Sequence, residues 1–191
     1  MQNKKMTIFI HGFGSSGLNG KATLFREYFK KINKPYIAPS LSYVPKLAIS
    51  TLEELIESYG REVNLIGSSL GGYYSIYLSE KYGLKTVLIN PATKSAKTLQ
   101  TAINSKGYSP NFYDNSSFEW NMSHIEMLKE YYMDRVTDER YFLMLQKGDD
   151  VLDYRDALNL MPRAKIELQE GGSHRFENIE KHFEDIREFL F

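Results

Sequence analysis

The sequence predicts an α/β fold: a compact, doubly wound, mostly parallel sheet of about six strands, with helices on both faces. Two observations predict it. Short apolar runs alternate with amphipathic stretches along the chain, and Gly- or Pro-bearing turns separate them. At 191 residues, 42% apolar and 25% charged, the chain can bury one core, so a single domain over 1–191 is expected.

The elements follow in order. Residues 6–10 (MTIFI) form a buried strand, and a Gly/Ser-rich loop runs over 12–20. Residues 21–32 form a helix, because Leu24, Phe25, Tyr28, Phe29 and Ile32 share one face. Tyr36, Ile37 and Ala38 make a short strand. Ser50 opens the next helix through a Ser50-x-x-Glu53 capping box, and Gly60 stops it. Strand 63–67, helix 70–82 and strand 86–90 come next. The interval 93–136 shows no clear strand. It carries a helix opened by Ser123-x-x-Glu126 and is expected to be a helical cap inserted over the sheet. Strand 141–146, helix 154–160, strand 165–169 and an amphipathic helix over 178–190 complete the chain, with a sheet order of 2-1-3-4-5-6.

Composition excludes several chemistries. The 24 basic and 24 acidic residues balance, so no electrostatic footprint marks a nucleic-acid or anionic-membrane partner, and pairs such as Lys4-Lys5 and Lys30-Lys31 read as solvated. The absence of cysteine removes thiol nucleophiles, disulfides and Cys-ligated metals. His11, His124, His174 and His182 form no close metal-binding pair, so no metal is expected. The N-terminal apolar run is too short for a signal peptide and no stretch suits a membrane span, which makes a cytoplasmic protein the simplest expectation.

Two glycine motifs compete. Gly12-Phe13-Gly14-Ser15-Ser16-Gly17 is a G-x-G-x-x-G after the first strand, the pattern of a dinucleotide-binding turn. That reading also needs a helix starting within the motif and an acidic residue ending the second strand. The periodic pattern starts only near Lys21, and Pro39-Ser40-Leu41 stands where the acid should be. Gly67-Ser68-Ser69-Leu70-Gly71 is a G-x-S-x-G between a strand and a helix, as a nucleophile elbow requires. Such a turn lifts Ser69 Oγ above the sheet and aims the Leu70 N–H at a developing oxyanion. A Gly/Ser turn without chemistry, on a protein that only binds, is the alternative.

A nucleophilic serine needs a base and an orienting acid, here in the chain order Ser, acid, His. The strand ending at Gln146 leads into Gly148-Asp149-Asp150-Val151-Leu152-Asp153, and the strand ending near Gln169 leads into Gly171-Gly172-Ser173-His174. His174 is thus the base candidate. Asp149, Asp150 and Asp153 compete for the acid: Asp149 lies nearest the strand end, Asp150 suits solvent or a lysine, and Asp153 suits a helix N-cap. His182 reads as a surface position, His124 as a helix-capping or lid residue, and His11 as a structural hydrogen bonder. Tyr108, Phe112, Tyr113, Phe118, Trp120, Tyr131 and Tyr132 either wall a pocket or simply pack the 93–136 interval.

The segments 8–16 (IFIHGFGSS), 63–74 (VNLIGSSLGGYY), 89–92 (INPA), 146–155 (QKGDDVLDYR) and 171–176 (GGSHRF) resemble the YqiA-like esterases, small bacterial α/β-hydrolases. The resemblance runs through nearly the whole chain. It implies the α/β-hydrolase fold and a Ser–Asp–His hydrolase acting on a small acyl ester or thioester, with no cofactor. By position it assigns Ser69 as nucleophile, His174 as base and Asp149 as acid, with Asp150 where the family usually has Glu. It also implies an oxyanion hole from the backbone N–H groups of Leu70 and Phe13, which makes the loop from Gly12 to Gly17 part of that hole.

Overall fold

The computed structural model describes residues 5–191. Lys4 of the first basic pair lies outside them, while Lys5, Lys30 and Lys31 are exposed.

The main sheet contains β1 (Met6–Ile10), β2 (Tyr36–Ile37), β3 (Val63–Ser68), β4 (Thr86–Ile89), β7 (Tyr141–Gln146) and β8 (Lys165–Gln169). Its order is β2-β1-β3-β4-β7-β8 and every pairing is parallel, as the alternating pattern predicts. Parallel strands need long crossovers, and helices supply them. These are α1 (Gly20–Lys31), α2 (Pro45–Ser58), α3 (Leu70–Tyr82) and α6 (Tyr154–Leu160), with α7 (Phe183–Leu190) closing the chain.

Both faces of the sheet are covered, so the central strands are buried throughout. Side-chain alternation divides the core. Ile8, Ile10 and Leu65 join Leu52, Ile56 and Leu78 on one face. Phe9 and Ile66 join Phe25, Phe29, Ile186 and Leu190 on the other. Each such side chain contributes about 1.5–3 kcal/mol by leaving water.

Between β4 and β7 lie α4 (Ser95–Gln100), an antiparallel hairpin of β5 (Tyr108–Pro110) and β6 (Ser117–Glu119), and α5 (Met122–Lys129). Of these, only the helix near Ser123 is expected, and α5 meets it; α4 is not, nor is the hairpin. Each of its strands buries one residue, too little to leave a two-residue period in the sequence.

Three boundaries correct the sequence reading. Helix α2 opens at Pro45, where a missing N–H costs nothing, so Ser50 lies inside it and caps nothing. Asn121, not Ser123, caps α5: its side chain accepts from the Ser123 N–H, and His124 reaches back to the Asn121 N–H. The last helix is split, because Asn178 adopts a left-handed φ of 58° and a short 3-10 turn, Ile179–His182, precedes α7.

Candidate active site

The site is built at the carboxyl edge of the sheet, on the loops after β1, β3, β7 and β8. Ser69 joins β3 to α3 in a turn with φ 56° and ψ −121°, a conformation that costs a non-glycine residue about 1–3 kcal/mol. Its surroundings hold it there. The Ser69 N–H donates to Ile89 O, and Ser69 O accepts from the N–H groups of Gly72, Tyr73 and Ala92. The flanking glycines are a steric necessity. A Cβ on Gly71 would lie 2.0 Å from Ile10 O, and one on Gly67 would lie 2.5 Å from Gly71 O.

His174 Nε2 lies 2.9 Å from Ser69 Oγ, and His174 Nδ1 lies 2.8 Å from Asp149 Oδ2. An ionised carboxylate only accepts, so Nδ1 carries the proton and Nε2 is left to accept from the serine hydroxyl. The Asp149 side chain is 2% exposed. Burial alone would raise its pKa. The His174 hydrogen bond, the Leu152 and Val151 N–H groups on Oδ1 and the attraction of the His174 ring when it is protonated outweigh burial and hold the carboxyl below the usual range. Of the competing acids, Asp153 caps α6 and pairs with Arg155. Asp150 is exposed and accepts a long bond from the His174 backbone N–H, at 3.4 Å.

The loop after β1 lies directly beside Ser69: a Cβ on Gly12 would be 3.2 Å from Ser69 Cβ. Among the described residues the Phe13 and Leu70 N–H groups find no protein acceptor, so both donors are available next to the serine. The spaces around the other motif glycines are taken by protein. A Cβ on Gly17 would meet Ala38 O at 2.1 Å, and one on Gly14 would meet Pro110 O at 2.6 Å. Helix α1 starts only at Gly20, capped by Asn19.

Two positioning residues were not singled out from the sequence. Asn90, with φ 40°, donates to the backbone oxygens of Ser173 and His174 and accepts from the Gln146 N–H. The Gln146 side chain accepts from the Ser173 and Glu177 N–H groups and donates to Glu177 O. Together they fasten the His174 loop to the sheet. The available signal was a polar residue at the end of each of two buried strands.

The other histidines have structural partners. Buried His11 accepts from the Leu41 N–H at Nε2 and pairs with Gly12 O through Nδ1; burial lowers its pKa against the opposing Gly12 bond. His182 is not the surface position expected: its ring is half-buried and accepts from Gln169 Nε2 at 2.6 Å.

A cleft of about 460 Å³ opens over Ser69 and His174, lined also by Ser15, Lys21, Arg175, Phe112 and Tyr113. Only Phe112 and Tyr113 of the candidate aromatic wall reach it. Phe118 and Trp120 are buried and pack edge-on against Phe13, while Tyr131 packs on Tyr77. Among the described residues no group of three His, Asp or Glu side chains could hold a metal, and no helix is long and apolar enough to cross a membrane.

This architecture is the α/β-hydrolase fold, and solved structures share it. A protein from Agrobacterium vitis S4 assigned as a hydrolase superposes with a TM-score of 0.78 at 16% identity, covering 100% of this chain and 90% of that one. Est1E from Butyrivibrio proteoclasticus, solved with ferulic acid bound, gives 0.75 at 12% identity over 97% and 87%. Mouse alpha/beta hydrolase domain-containing protein 10 gives 0.73 at 17% identity over 97% and 90%. The chain belongs to the family described as Uncharacterised protein family (UPF0227), whose model matches residues 6–191 and which includes the YqiA-like esterases.

Proposed function

We propose that the protein is a serine hydrolase that cleaves a small carboxylic ester or thioester through an acyl-enzyme. The observation that carries this reading is the continuous hydrogen-bonded chain Ser69–His174–Asp149, at 2.9 and 2.8 Å, beside two unengaged amides. The hydrolases and esterases that share the fold add support.

The chemistry follows from the roles each group can play. His174 Nε2 removes the Ser69 proton as Oγ attacks the acyl carbonyl. Asp149 holds the imidazole tautomer and stabilises the imidazolium that forms. The Phe13 and Leu70 N–H groups meet the negative charge on the tetrahedral oxygen, each lowering the barrier by roughly 3 kcal/mol. The imidazolium then protonates the leaving oxygen or sulfur. A water deprotonated by His174 attacks the acyl-serine, releasing the acid and restoring Ser69. The 93–136 interval acts as a cap, with Phe112 and Tyr113 walling the acyl group.

Hydrolysis of a short-chain aryl ester tests this directly. Ser69→Ala is expected to lower kcat by roughly 10⁴-fold or more. Equal rates for the two proteins would overturn the assignment.

A further inference from the structure

The cleft holds a charge arrangement that ester hydrolysis itself does not require. Lys21, in the first turn of α1, and Arg175, next to His174, line the same cavity as Ser69. Lys21 Nζ donates to the Arg175 carbonyl oxygen at 2.6 Å, and the Arg175 charge is close enough to act on the Lys21 ammonium. Neither forms an ion pair among the described residues.

Several surface cations do form them: Lys46 with Glu130, Lys94 with Asp156, Lys129 with Glu126, and Arg155 with Asp153. Among the described residues the one carboxylate acting on Lys21 is Asp149, whose oxygens are already committed to His174, Val151 and Leu152. Burial and the Arg175 charge push the Lys21 ammonium down to about 8, against the opposing pull of Asp149. The first turn of α1 adds no acidic residue to compensate. Two adjacent cations facing an open cavity repel each other and gain most from an anion that arrives with the ligand. Phe112 and Tyr113 line the same cleft, and these aromatic rings suit the uncharged part of the same molecule.

We propose that Lys21 and Arg175 are specificity residues that bind a carboxylate or phosphate on the substrate, so that the preferred ester or thioester is anionic. This inference rests on the hydrolase reading above and deepens it. The test compares kcat/KM within two matched pairs. Mono(4-nitrophenyl) adipate against its methyl ester places the charge on the acyl side. 4-(Hexanoyloxy)benzoate against its methyl ester places it on the leaving side.

In the wild type, at least one anionic ester is expected to exceed its neutral partner by about tenfold or more, and the responding pair identifies the half that carries the charge. Arg175→Gln, which keeps the backbone carbonyl that Lys21 binds, is expected to reduce that ratio several-fold. The Lys21→Gln/Arg175→Gln pair is expected to bring it near unity, and Lys21→Arg to retain most of it. Wild-type ratios near unity in both pairs, or ratios untouched by the substitutions, would overturn the proposal. A purely structural Lys21 would slow both members of a pair alike. Failure of the hydrolase reading looks different: all four esters would turn over no faster than with Ser69→Ala.

Discussion

The carboxyl edge of the sheet and the 93–136 interval border the same cleft but are held in different ways. At the sheet edge, backbone approaches backbone so closely that Gly67 and Gly71 have no room for a Cβ, and Asn90 and Gln146 each make bonds in several directions. The interval consists of short elements, anchored by a few residues. Trp120 is 1% exposed and donates to Leu99 O, Phe118 stacks on Tyr43, and the Phe112 N–H donates to Gly14 O. The wall it offers the cleft is exposed: Phe112 is 70% exposed. Reacting groups need fixed geometry, whereas a substrate wall can rest on a small number of anchors.

Substitutions can break this contrast. The largest effect is expected at the acid. Asp149→Asn should lower kcat by roughly 10⁴-fold, because the imidazole then settles in the wrong tautomer. Asp153→Asn keeps an acceptor at the α6 N-cap and loses only an exposed pair with Arg155, so it should leave the rate near wild type; steady-state kinetics on the two variants compares them. The same carboxylate has a stability signature. Its folded pKa lies below the ordinary aspartate value, so its contribution is complete above that value and disappears as pH falls through the folded pKa. Urea unfolding between about pH 6 and 3 should therefore show a shallower loss of stability for Asp149→Asn than for wild type. Parallel curves would remove the acid from that role.

Within the interval, Trp120→Ala should cost about 3–5 kcal/mol in urea unfolding, as an anchor must. Phe112→Ala should change stability by no more than about 0.5 kcal/mol while raising KM for an aryl ester. Equal destabilisation by both would erase the distinction between anchor and wall. A smaller effect separates positioning from chemistry. Asn90→Ala leaves the Gln146 N–H without its acceptor and frees the Ser173 and His174 carbonyls, costing about 1–3 kcal/mol. It should also lower kcat more than it changes KM. An unchanged kcat would show that Gln146 alone holds the loop.

The same contrast explains what could be read from residues alone. The six-stranded order and the approach of Ser69, Asp149 and His174 follow from patterns with a strict physical cause: apolar runs long enough to be strands, glycines where a Cβ cannot fit, and polar residues just past strand ends. The β5–β6 hairpin left no trace because each strand buries a single side chain. Ser50 and Ser123 imitate caps, but Pro45 and Asn121 open those helices, since capping motifs recur by chance inside helices. Lys21 carried no signal of its own in the sequence: its place beside Arg175 and the Ser69 cleft is a juxtaposition across the chain that no local pattern encodes.

In the proposed hydrolase, Ser69 is an activated nucleophile. A fluorophosphonate reacts covalently with such a serine, and peptide mass mapping locates the adduct. A single stoichiometric adduct on Ser69 is expected, formed far more slowly in His174→Ala. An unmodified wild-type chain, or an adduct on another residue such as Ser15 or Ser173, would contradict that role.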